Sequence, residues 1–117
     1  MVDNSPAPPS PADFVVVLVT VPDEEVASRL ANALVTEKLA ACVNVVPGLR
    51  SIYAWEGKLC DERELLCLLK TRRELFPALR DRVLSLHPYE VPEIVALPLL
   101  HGSESYLAWL RDSTRPG

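Results

Sequence analysis

The run Phe14 to Val21, FVVVLVTV, is almost uninterruptedly β-branched or aromatic, and no other feature restricts the fold as strongly. A strand with one face in water alternates polar with apolar side chains, whereas a continuous apolar run reads as a strand covered on both faces. Here Val15, Val17 and Val19 form one side, and Val16, Leu18 and Thr20 the other. The pattern recurs later in the chain. Leu65, Cys67 and Leu69 oppose Leu66, Leu68 and Lys70, while Ile94, Ala96 and Pro98 oppose Val95, Leu97 and Leu99. Whatever sheet these strands build needs two covers.

The remaining elements follow from local signals. Residues 1–12, MVDNSPAPPSPA, are rich in proline and without periodicity, as in a disordered tail, so the domain is expected over 13–117. Pro22 ends the first strand. Asp23, Glu24 and Glu25 suit a helix N-terminus, and Val26, Leu30 and Leu34 form one helical stripe up to about Lys38. Cys42 to Val46 is apolar, breaks at Pro47-Gly48 and resumes at Ser51 to Trp55, which predicts a bent or bulged strand. Glu56-Gly57-Lys58 is a turn and Leu59 to Thr71 the return strand, giving a long hairpin whose tip projects beyond the sheet. Leu75, Leu79, Val83 and Leu86 repeat at helical spacing. Thr71 and Glu74 match the S/T-x-x-E capping pattern, although Pro77 pushes the regular helix toward a start near Arg73 or Glu74. His87-Pro88 closes that helix, Glu93 to Leu99 is a short strand, and Ser103 to Arg111 a last helix. The order predicts an α+β, ferredoxin-like βαββαβ domain with an added C-terminal helix.

Both crossover helices of such a domain lie on one face of the sheet. Leaving about six apolar side chains wet on the other would forgo about 1.5 to 3 kcal/mol each, more than a small domain readily absorbs. The C-terminal helix is too short to cover them all. A homo-oligomer that buries the open faces against one another resolves this; the plainer reading is that alternation is simply blurred in this sequence.

Composition narrows the chemistry. With 16 acidic against 12 basic residues and a formal charge of −4 in 117 residues, no nucleic-acid partner is expected. Cys42, Cys60, Cys67, His87 and His101 supply neither a C-x-x-C pair nor an H-x-x-x-H, so one chain holds no self-contained zinc site. Neither a signal-peptide core nor an apolar run of membrane length is present. A cytoplasmic protein with reduced thiols and no membrane association is expected. No P-loop, G-x-S-x-G or H-E-x-x-H occurs, and no nucleophile–base pair, so no enzyme activity is expected. An RNA-recognition domain shares the element order, but Leu65 to Leu69 offers no base-stacking side chain.

Several strings in order carry a likeness: Val19-Thr20-Val21-Pro22-Asp23, Glu37 to Asn44 (EKLAACVN), Pro47-Gly48, Ser51-Ile52-Tyr53, Trp55-Glu56-Gly57-Lys58, Leu69-Lys70-Thr71, His87 to Glu93 (HPYEVPE) and Tyr106-Leu107-x-Trp109. Over about residues 14 to 114 the chain resembles the CutA family of divalent-cation tolerance proteins. The resemblance implies a ferredoxin-like fold assembled as a compact trimer, similar to the PII signalling proteins, and a link to tolerance of copper and other divalent metals. No cofactor is required on this reading. Where copper contacts have been proposed in the family, a cysteine near the end of strand one and paired histidines ending helix two are implicated. Here those positions read Val19 and Leu86-His87, so binding weaker than in such relatives is expected.

His87 with Glu90 and Glu93 is the candidate metal set, because copper(II) or zinc accepts imidazole nitrogen with carboxylate oxygen. A histidine ending a helix also has a plain structural use beside the C-terminal dipole. Tyr53, Trp55, Lys70, Tyr89, Tyr106 and Trp109, with Glu93, are candidates to line a cleft between subunits that takes a small polar ligand. Equally, aromatics on a long hairpin serve as interface anchors. Cys42 and Cys67 read as small core residues and Cys60 as the exposed thiol; none resembles a catalytic cysteine. Two functions are therefore expected to compete: a trimeric divalent-metal binding and tolerance protein, or a PII-like sensor with small-molecule clefts between subunits.

Overall fold

The structure, a computed structural model, describes residues 7–117, so residues 1–6 of the expected tail lie outside it. Within that segment Pro11–Asp13 form a single 3-10 turn, and the Ser10 N–H donates to the Asp13 carboxylate at 3.2 Å. The elements then run β1 (Phe14–Val21), α1 (Glu24–Thr36), β2 (Cys42–Trp55), β3 (Lys58–Arg72), α2 (Phe76–Leu86), β4 (Ile94–Pro98) and α3 (Glu104–Asp112). The strands form one antiparallel sheet in the order β2-β3-β1-β4. The molecule is thus α+β, a four-stranded sheet with three helices.

Local chemistry explains the boundaries. Asp23 caps α1 by accepting the Val26 N–H at 2.9 Å, and Glu24 and Glu25 sit in the first turn, where unpaired N–H groups favour negative charge. The start of α2 differs from the capping pattern. Thr71 belongs to β3, and its hydroxyl donates to the Leu39 carbonyl at 2.6 Å, so it caps nothing. The chain leaves β3 through a 3-10 turn at Arg73–Leu75, and Pro77 falls at the second position of α2, where a missing N–H costs no helical bond.

Side chains of β1 and β3 sort into the two faces that the sequence anticipates. Val15, Val17, Val19 and Val21 join Leu65, Cys67 and Leu69 under Val26, Leu30 and Leu34 of α1 and Leu79 and Val83 of α2 in the main core. On the opposite face, α3 packs Leu107 and Leu110 on Phe14 and Ala41 at one end of the sheet. Its reach stops there. Val16, Leu18, Leu66 and Leu68 are half-buried, and Val46, Val95 and Leu97 are 44%, 49% and 52% exposed. The second cover that β1 calls for is absent from a single chain.

Beyond Leu65, the partner of Val21, β3 runs on with β2 alone as a hairpin, and the molecule extends 66 Å along its longest axis. The turn is a two-residue loop with Glu56 at φ +50° and Gly57 at φ +77°, the left-handed pair that matches the twist of hairpin strands. A bulge interrupts β2: Val46 pairs with Leu66 but Leu49 with Glu64, and Gly48 takes φ +83° there. One extra residue reverses which side each following side chain occupies. Tyr53 and Trp55 thereby share the open face with Glu62 and Glu64, whereas an unbroken strand would have turned them to the helix side.

Candidate functional site

The bulge, the hairpin and the segment after α2 converge on one concavity. Where β1 ends, residues 87–93 cross beside the extended part of β3. They are held from both ends. The Tyr89 hydroxyl donates to the Glu64 carboxylate at 2.9 Å, and the His87 ring anchors the start of the segment. Tyr53, Trp55, Glu62, Pro88, Tyr89, Glu90 and Val91 line a cavity of about 370 Å³, within the range of small-molecule sites. A second hollow, sharing Tyr53, Tyr89 and Val91, adds Thr20, Ser51, Glu64 and Glu93. Four carboxylates thus face this region, and no lysine, arginine or histidine lines either hollow.

The tyrosines are committed to those acids. Tyr53 donates to Glu62 at 3.1 Å, a diagonal contact that follows from Tyr53 pairing with Cys60. Desolvation and that bond push the Tyr53 hydroxyl up to about 12. Tyr89 is raised further, by burial first and then by its bond to Glu64. Both hydroxyls therefore stay protonated and donating at any physiological pH. Glu64 is only 5% exposed, and the Tyr89 hydroxyl is the donor that offsets its burial.

His87 sits beneath the concavity, 8% exposed. Its Nε2 lies 2.8 Å from the Thr20 carbonyl oxygen, and its Nδ1 accepts the Tyr89 N–H at 3.1 Å. A carbonyl only accepts, so Nε2 carries the proton and neither nitrogen has a lone pair to spare. Glu90 and Glu93 are exposed, one in each hollow. Among the described residues no three His, Cys, Asp or Glu side chains are grouped to hold a metal ion. Two exposed carboxylates and an occupied imidazole do not close a coordination shell within one chain.

The six candidate cleft residues separate into two sets. Tyr53, Trp55 and Tyr89 meet at the hairpin base. Lys70, Tyr106 and Trp109 meet at the α3 end: the Lys70 ammonium donates to the Tyr106 hydroxyl at 3.4 Å, lies 5.6 Å from that ring's centre, and the Tyr106 and Trp109 rings are 5.5 Å apart. Glu64 and Lys70 stand on one strand roughly 20 Å apart, too far to share a ligand within one chain. Glu62 and Glu64, absent from the candidate set, are the residues that sequence reading missed. Counting pairs back from the Glu56-Gly57 turn places Glu62 diagonal to Tyr53, so that signal was present; the partnership of Glu64 with Tyr89 had no local sign.

Comparison with known proteins agrees with this architecture. Residues 15–113 match the model of a family described as "CutA1 divalent ion tolerance protein". The chain is 61% identical over 99 residues to the divalent-cation tolerance protein CutA of Thermus thermophilus, covering 85% of this chain and 96% of that one. It is 52% identical over 101 residues to a chloroplastic CutA protein of Arabidopsis thaliana, covering 86% of this chain but 56% of the plant protein's length. The crystal structure of CutA1 from Oryza sativa superposes with a TM-score of 0.88 at 49% identity, covering 92% of this chain and all of that one.

Proposed function

Because this chain belongs to the CutA1 divalent ion tolerance family, we propose that it acts as a homotrimer of ferredoxin-like domains that binds divalent cations, copper(II) foremost, at carboxylates around the hairpin cleft. The observation that carries this is the charge of the two hollows: Glu62, Glu64, Glu90 and Glu93 line them and no basic side chain does. A concave surface of one sign concentrates counter-ions. Glu90 and Glu93 are the ligands of choice because both are exposed, and His87 adds a nitrogen only by releasing its bond to Thr20 or to Tyr89. Binding is weak in one chain and is completed where copies meet. The uncovered face of Val46, Val95 and Leu97 supports association, and the family likeness supplies the number three. The protein acts by binding, not catalysis. The free thiols Cys42, Cys60 and Cys67 suit a reducing, cytoplasmic compartment.

Calorimetric titration with copper(II) tests this on the wild type, Glu90→Gln with Glu93→Gln, and His87→Asn. Saturable binding that weakens about tenfold or more in the double variant, and less in His87→Asn, is expected. No saturation below millimolar copper in the wild type would refute the metal reading.

A second reading is favoured by one specific feature, the aromatic lining of the larger hollow by Tyr53, Trp55 and Tyr89. Metal ions make no use of such walls, whereas a small organic ligand does. On this reading the protein is a PII-like sensor whose hairpin reports occupancy of the cleft.

A further inference from the structure

The separation of Lys70 from Tyr53, Trp55 and Tyr89 reverses the sign of ligand that the cleft suits. With lysine among its walls it would take an acid. Without it, the lining consists of three aromatic rings, two apolar side chains and the carboxylates of Glu62 and Glu90, with Glu64 and Glu93 in the adjoining hollow. The hydroxyls of Tyr53 and Tyr89 are already donated to Glu62 and Glu64, which leaves them no proton for an anionic or carbonyl ligand. Glu64, nearly fully buried, has one neutral donor to offset its charge. A cation in the hollow would lower the cost of burying it.

We propose that the cleft formed by Tyr53, Trp55, Glu62, Tyr89 and Glu90 is a recognition site for a small organic cation of the alkylated ammonium class. Aromatic faces attract a diffuse positive charge through their quadrupoles, and alkyl groups on the nitrogen are buried against the same faces. The carboxylates at the rim supply the long-range attraction and exclude anions. A cavity of about 370 Å³ holds a group of this size with room for substituents. Such a ligand donates no lone pair and requires none, so the site works without a metal ion. The inference rests on the cleft being a ligand site, the second reading above, and adds the chemical class of the ligand.

Three probes of similar shape and different charge test it: tetramethylammonium, neutral tert-butanol and the anion pivalate. Each is titrated into the full chain in the presence of a metal chelator and followed by calorimetry and by Trp fluorescence. Saturable binding of tetramethylammonium alone is expected, with a dissociation constant on the order of 1 mM or below. Trp55→Leu and Glu62→Gln, both at exposed hairpin positions, are each expected to weaken it about fivefold or more while leaving the far-ultraviolet circular dichroism unchanged. Equal or tighter binding of tert-butanol or pivalate would overturn the cationic class while leaving the cleft a ligand site. Binding of none of the three would overturn both the class and the site.

Discussion

Single residues here take meanings that only their partners assign. His87 is adjacent in sequence to two acids, yet it spends both nitrogens on Thr20 and Tyr89 and holds the segment that carries the cleft's third aromatic wall. Cys67 is the clearest case for a pH test. Fully buried between β1 and the helices, its thiol is pushed from the usual 9.0 up to about 11, by burial first and then by the Glu24 charge. Folding therefore favours the protonated thiol. Its contribution is intact below pH 9 and is lost as the unfolded chain ionises between about pH 9 and 11. At pH 10 the loss is about 1.4 kcal/mol. Urea unfolding at pH 8 and pH 10 at one protein concentration checks this: wild type should lose about that much more stability than Cys67→Ala. Equal losses in the two proteins would count against it. The burial of Cys67 was legible, because the run Leu65 to Leu69 places it beside apolar neighbours on both sides. The role of His87 was not, because its partner carbonyl lies 67 residues away in β1.

Among the elements, the hairpin does most to create the site. Its strands, turn and bulge were readable from Pro47-Gly48 and Glu56-Gly57, since proline and glycine mark positions where a regular strand cannot continue. What the bulge does was harder to see. It reverses the facing of Tyr53 and Trp55, and a reader who knows only that a bulge exists does not know how many residues it inserts. The start of α2 was misread for a related reason: the Thr71 hydroxyl fits a cap locally but is drawn to the Leu39 carbonyl by tertiary packing. Beyond Leu65 the hairpin has no third strand and draws its stability from its turn. Gly57, at φ +77°, has nothing within 4 Å of an added Cβ, so Gly57→Ala adds backbone strain without a clash. A cost of about 1 to 2 kcal/mol is expected. Hydrogen exchange should show amides of residues 52–61 losing about 5- to 30-fold protection, with amides of β1 unchanged. A uniform loss across β1 and the hairpin would mean that the two open together.

The whole molecule returns to the doubled apolar pattern of β1. One face finds its cover in α1 and α2, and the other receives α3 only at the Phe14 end. The remaining Val16, Leu18, Leu66, Leu68, Val46, Val95 and Leu97 form a continuous apolar surface beside the acidic cleft. A second cover was therefore legible as a need, while its number of subunits is carried by likeness to the family alone. Lys70 and its aromatic neighbours at one end of this face, and the four carboxylates at the other, are complementary in charge. A ring of copies packed head to tail would set each against its opposite. Burial of the open face between copies is the claim on which the proposed metal site depends. Sedimentation equilibrium of wild type and Leu97→Lys at micromolar concentration tests it most directly. The account predicts a species of three times the 12.9 kDa chain mass that dissociates in the variant. A wild-type mass of one chain would contradict it.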